Sequence, residues 1–309
     1  MTVWEEKVLS NEASEDFTRA RNKAKIQGLL SALTWKNNEL MPFYEVTSII
    51  KPKSETYLGM KTIPVNKIIG SEGRYHDFSS AFYPKREMLR TRWMSVDTAL
   101  INDVILPPIS VYYLGGYYFV RDGNHRVSVA KAQGVDFIDA EVVELDSQIP
   151  LRPDMTMREL RAKVVEYERD MFISQYKPSY LPMGDIVFTT PGAYPEMVNH
   201  ILVHKYYINQ NIDHEIPFSE AARSWYDNVY YPIVREIRAE HLLAAFPGQS
   251  EGDMYMWIVR RWDEYKRQEN REITASEAVK KAARERGSRS PFKRLGRRLK
   301  YWGSMLSKR

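Results

Sequence analysis

The sequence predicts an α+β fold: a small mixed α/β domain flanked by an N-terminal helix, a C-terminal helical domain and a basic amphipathic tail. Three observations carry this. Two runs of β-branched and aromatic residues enclose Gly115-Gly116, the signature of a hairpin. A short helical stretch, ended by Gly134, separates that hairpin from a further strand at Phe137 to Leu145. After Pro150 the apolar spacing turns helical, and Thr156 with Glu159 and Thr274 with Glu277 form Thr-x-x-Glu capping boxes.

Taken in order, residues 12–33 read as one amphipathic helix, with Phe17, Ala20, Ala24, Leu29 and Leu33 at helical spacing and Arg19, Arg21, Lys23 and Lys25 between them. Ile63-Pro64-Val65 is a brief extended piece, and Ile68-Ile69-Gly70 leads into a polar loop of weak periodicity that runs to Arg92. Ile109 to Leu114 and Tyr117 to Arg121 are the hairpin strands. Asp122-Gly123-Asn124 breaks the second of them, and Val127 to Gln133 is a short helix. Met157 to Met171 opens the helical part. Pro178, Pro182 and Pro191 mark an irregular link before helices around 194–208, 218–245 and 251–269, and a last helix runs from Thr274 toward Arg286. The expected divisions are 1–60, 61–145, 146–272 and 273–309.

Composition narrows the chemistry. Of 309 residues 43% are hydrophobic and 28% charged, enough apolar mass for a packed core. Without cysteine, disulfides, thiolate zinc sites and cysteine nucleophiles are excluded together. No apolar run reaches membrane-spanning length and the N-terminus is acidic and polar, so the expected location is cytoplasmic. The net charge of +5 is a property of the end of the chain: residues 280–309 hold twelve Lys or Arg and one acid, Glu285, leaving the rest net acidic.

The loop Asp122-Gly123-Asn124-His125-Arg126 lies between a strand end and a helix start, where free amides and the helix dipole attract anions. Gly123 permits close approach of backbone to a phosphate, Arg126 offers a bidentate fork, and His125 is a proton carrier or phosphate donor. Asp122 can hold a metal, accept a proton or cap the helix; an ordinary Asp-Gly-Asn turn is the competing reading.

The ordered set Ile63-Pro64-Val65-Asn66-Lys67-Ile68, Leu106-Pro107-Pro108-Ile109, Tyr117-Tyr118-Phe119-Val120 and Asp122-Gly123-Asn124-His125-Arg126 resembles the ParB/sulfiredoxin superfamily over about residues 61–145. The resemblance implies that Gly123, Asn124, His125 and Arg126 hold nucleotide phosphates: CTP, ATP or ADP with Mg²⁺. Sulfiredoxins place a catalytic cysteine where this chain has Asn124, so sulfinic-acid reduction is excluded. ParB partition proteins follow this fold with a Glu-Asn-rich helix and a helix-turn-helix, which residues 146–270 lack. The loop is also similar to the Asp-Gly-His-His-Arg of ADP-dependent free-serine kinases. That likeness implies catalytic roles for Asp122 and His125, with Glu72 as general base. Gly73-Arg74-Tyr75-His76-Asp77-Phe78 resembles a segment of uncharacterised bacterial ParB-like proteins, which brings no activity with it.

Arg74 and Asp77 add a charge clamp and a base or metal ligand to this set, or are solvated charges of a polar loop. His200 and His204, with Glu196 one turn before, share a helix face; a zinc site would need His214 as well, and an ordinary interface stripe is favoured, so no metal site is assigned. The aromatics from Trp225 to Tyr231 and Tyr255 to Tyr265 read as core. Beyond Ser290-Pro291, Phe292, Leu295, Leu299, Trp302 and Leu306 form one apolar face of a basic helix. It suits an anionic membrane surface, with nucleic acid as the rival partner of residues 287–309. The leading expectation is a nucleotide- or phosphate-ligand-binding protein, a phosphotransferase or nucleotide hydrolase included. A non-enzymatic DNA-associated regulator at the nucleoid and an adaptor at the inner membrane face are the alternatives, and a homodimer is a further expectation.

Overall fold

The computed structural model describes residues 3–34 and 38–289. Its fold is α+β, in two compact units, residues 1–160 and 161–309. The amphipathic tail expected beyond Ser290 lies outside the described residues, as do the membrane and nucleic-acid contacts expected of it. Among the described residues no helix is long and apolar enough to cross a membrane.

The first unit is built on a six-stranded mixed sheet with strand order β1-β3-β5-β4-β6-β2. The strands are β1 (Met41–Pro42), β2 (Glu55–Pro64), β3 (Ile68–Ser71), β4 (Ile109–Leu114), β5 (Tyr117–Asp122) and β6 (Phe137–Leu145). Strand β2 begins at Glu55, well before the brief extended piece expected at Ile63, because its whole length pairs antiparallel with β6. Its first eight residues are exposed or half-buried, so no apolar alternation marks them. β1, β3 and β5 run parallel, and their carboxyl ends share one edge of the sheet. At Gly70 a Cβ would stand 2.3 Å from the Phe119 ring and 2.5 Å from the Met41 carbonyl, so only glycine lets the three parallel strands close up.

Helices α1 (Val3–Thr34), α3 (Arg90–Ile101) and α4 (Asn124–Gln133) cover one face. Their core joins Phe17, Trp93 and Val127 to Ile68, Ile109, Val111, Val120 and Val142 of the sheet. Phe17 meets Trp93 edge to face at 5.6 Å. The Trp93 indole donates to Ser128 Oγ at 2.9 Å, and Ser128 Oγ donates to the Phe82 carbonyl at 2.6 Å, which ties α3, α4 and the 71–86 loop together. The short helix α2 (Phe43–Ile50) packs beside the opposite face, where Phe43 stacks on Tyr112 at 4.2 Å. Two expectations for α1 change. The helix begins at Val3, and Leu29 and Leu33, expected in the core, are 69% and 79% exposed. Among the residues whose burial is described, Ala13, Phe17, Ala20 and Ala24 carry the buried face.

The second unit is helical: α5 (Met157–Tyr176, which starts just ahead of it), α6 (Ala193–Asn209), α7 (Phe218–Trp225), α8 (Tyr231–Ala239), α9 (Glu251–Glu269) and α10 (Ala275–Arg289). The capping boxes at Thr156 and Thr274 form as expected. The single helix expected over 218–245 is broken by a π turn at Tyr226–Tyr230, just ahead of Pro232, whose missing N–H interrupts the regular ladder. Trp225, Tyr230, Tyr255 and Tyr265 are buried, as core residues.

Candidate functional site

The site forms where β3 and β5 end and α4 begins. In open sheets with parallel strands, the crevice beyond the carboxyl ends is where ligands settle. Gly123 has φ 101°, and a Cβ there would meet Ile109 at 2.5 Å; glycine is required both by the backbone and by the space. The chain turns so sharply at Gly123 that α4 starts at Asn124, three residues earlier than its apolar spacing suggests. Asn124, His125 and Arg126 are therefore the first helical turn. No side chain caps that turn.

Two of its side chains carry unsatisfied polar atoms. Asn124 is buried and its Oδ1 has no partner; His125 is half-buried and its Nδ1 has none. An unpaired buried polar atom costs stability, so each is a position that calls for a partner. His125 meets Phe78 edge to face at 5.6 Å. Burial pushes its imidazole pKa down to about 4, and Arg74 and Arg92 push the same way against a weaker pull from Asp77. The ring is neutral near pH 7, a donor or acceptor of a hydrogen bond and not a charged acid.

The 71–86 loop folds beside this turn. Ser71 Oγ accepts from the Arg74 amide at 3.2 Å and fixes the start of the loop. Asp77 lies between Arg74 at 3.2 Å and Arg86 at 3.1 Å, so its carboxylate orders the two guanidiniums. Arg74, Asp77 and His125 are thus neighbours. Arg92 joins them from α3, a helix not singled out in the sequence. Leu89, Trp93, Val96 and Leu100 at spacings of 4, 3 and 4 are the signal that finds it.

Three other candidates have different surroundings. The Arg126 guanidinium is engaged elsewhere. It donates to the Pro107 carbonyl, to the Pro108 carbonyl at 2.7 Å and to Asp122 Oδ2 at 2.5 Å, and it lines an apolar cavity with Leu100, Leu106 and Val129. The expected phosphate fork is instead a brace for the loop that enters β4. Asp122 is 78% exposed and is held by that same guanidinium. Glu72 belongs to a separate group: its Oε1 accepts from the Tyr44 hydroxyl at 2.5 Å, which raises the tyrosine's pKa, and Tyr112 and Arg121 lie nearby. The charged neighbours of His125 are Arg74, Arg92 and Asp77, so Glu72 and His125 stand in different settings. Tyr44, the partner of Glu72, was not singled out in the sequence.

In the second unit His200 Nδ1 pairs with Tyr255 Oη at 3.0 Å and His204 Nε2 with Ser224 Oγ at 2.9 Å. Among the described residues no three His, Asp or Glu side chains gather as a metal site.

No protein-family model matches the chain, and no curated protein is similar to it in sequence. Among solved structures it is similar to sulfiredoxin from Arabidopsis thaliana, at 19% identity over 27% of this chain and 82% of that one, with a TM-score of 0.18. It is also similar to the N domain of a pNOB8-like ParB in two structures. One is 12% identical over 64% of this chain and 87% of that one, the other 13% identical over 69% and 78%, each with a TM-score of 0.21.

Proposed function

We propose that the first unit is a ParB/sulfiredoxin-like domain that binds a phosphate-bearing small molecule, a nucleotide in the leading reading, at the first turn of α4. The observation that carries this is the pair of unpartnered polar atoms, Asn124 Oδ1 and His125 Nδ1, at the start of a helix that no side chain caps. Helix amides attract a phosphate by partial charge and by hydrogen bonding together. Arg74 and Arg92, which already depress the imidazole's pKa, supply the countercharge. Asn124 Oδ1 can only accept, so it suits a ligand hydroxyl or amino group next to the phosphate. Magnesium, in this reading, comes in on the phosphates and keeps most of its water.

Any phosphoryl transfer or hydrolysis would need a carboxylate at the reacting oxygen. Asp77 is the carboxylate beside His125, and its two arginine partners favour a positioning role over that of a base.

The test is calorimetric titration of the full chain with CTP, ATP and ADP, each with Mg²⁺. The expected result is binding of at least one, weakened about tenfold in Arg74→Ala, the usual size of one lost charge-assisted contact. Absence of heat with all three, or equal affinity in Arg74→Ala, contradicts the proposal.

A further inference from the structure

The outward face of α1 is unlike its inward one. Val8, Glu12, Glu15, Arg19, Asn22, Ile26, Leu29 and Leu33 follow one another at alternating spacings of 4 and 3, a seven-residue repeat, and all eight are exposed. They lie opposite Ala13, Phe17, Ala20 and Ala24, which face the core. A seam of that period is what one helix offers to another in a coiled pair. Its ends are apolar and its middle is charged: Val8 is 49% exposed and Ile26 58%, with Glu12, Glu15 and Arg19 between them.

The charge along the helix is split in the same way. Before Phe17 stand Glu5, Glu6, Glu12, Glu15 and Asp16 with one lysine; after it stand Arg19, Arg21, Lys23 and Lys25 with no acid. Against a parallel copy, like charges would face each other. Against an antiparallel copy, acidic half meets basic half and the helix dipoles oppose favourably.

We infer that α1 is a self-association surface, on which a second copy of this chain lays its own α1 antiparallel, with Glu15 of each copy facing Arg19 of the other. In that register Val8 faces Ile26 and Glu12 faces Asn22, and Leu29 and Leu33 extend past the partner's Val8. Shifting by one heptad in the direction that sets Val8 against Leu33 would put Glu15 on Ile26 and Glu12 on Leu29, burying carboxylates against apolar side chains. The pairing is isologous, so each contact occurs twice. Within the chain Arg19 pairs with Asp16, one turn before it, at 3.3 Å, a contact that leaves its side chain 68% exposed. The inference is independent of what binds at α4.

The test is sedimentation equilibrium of the full chain from low to high micromolar concentration. The wild type is expected to dimerise. Glu15→Arg and Arg19→Glu are each expected to weaken the dimer about tenfold, and the two together to restore it to within about threefold, since the exchange recreates both ion pairs. Ile26→Asp should weaken it as well. These positions are exposed, so each variant should melt with the wild type. A chain that stays monomeric throughout overturns the inference. So does a dimer whose affinity ignores the charge exchanges, or one in which the double exchange fails to rescue. A chain shortened to residue 289 that dimerises while the full chain does not would show that the covering segment is the chain's own end, which also overturns it.

Discussion

Arg126 shows how one residue type serves two different ends. The resemblance that identifies its loop implies a phosphate fork, yet its guanidinium bonds two proline carbonyls and Asp122. Both prolines are exposed, in the stretch Leu106-Pro107-Pro108 that leads into β4, and the guanidinium pins that stretch to the start of α4. Arg126→Ala is expected to lower stability by about 0.5–1.5 kcal/mol in urea unfolding, the net worth of its hydrogen bonds to carbonyls of exposed prolines, while ligand affinity changes less than in Arg74→Ala. An affinity loss larger than that of Arg74→Ala would return Arg126 to the site. The loop's position was legible from Gly123 and Gly134. The direction of the arginine was not, because it depends on a loop distant in sequence that happens to lie alongside.

At the scale of elements, the hairpin, β6 and the capped helices were legible because each is specified locally: a Gly-Gly turn between alternating runs, or a Thr-x-x-Glu box. β1, α2 and most of β2 were not. β1 is two residues long and exists only through its pairing with β3, and β2 owes its length to β6. The 71–86 loop is likewise held by tertiary contacts, chiefly the chain from Trp93 through Ser128 to the Phe82 carbonyl. Ser128→Ala leaves a buried indole N–H and a buried carbonyl unpaired, at a cost of about 2–4 kcal/mol. Hydrogen exchange should quicken in residues 71–86 along with that loss. An unchanged loop would mean that packing around Phe78 and Phe82 holds it alone.

At the scale of the whole molecule, two buried groups set opposing responses to pH. Burial raises the Asp97 carboxyl to about 6 despite its bond from Gln133, with Asp16 and Glu12 adding to the rise. Its folded pKa lies above the unfolded one, so stability is full at low pH and is lost as pH rises from about 4 to 6. His125 is lowered to about 4, so its contribution is full above the unfolded value near 6.5 and is lost as pH falls toward 4. The two slopes offset each other over the range they share. Asp97→Asn removes the first, and is expected to stabilise the chain by about 1–3 kcal/mol at pH 7 with little effect at pH 4. Thermal melts of variant and wild type from pH 4 to 8 read the difference directly. A difference that does not grow with pH would show that Asp97 is not ionising in the folded core.

The account rests on the first turn of α4 receiving negatively charged oxygen, and amide NMR reports that turn residue by residue. On titration of the full chain with CTP, ATP or ADP and Mg²⁺, the largest shifts are expected at Gly123, Asn124 and His125, with smaller ones over residues 72–78, and they should be smaller in Arg74→Ala at the same sub-saturating ligand concentration. Shifts confined to other parts of the chain, or a spectrum unmoved by all three nucleotides, would contradict it.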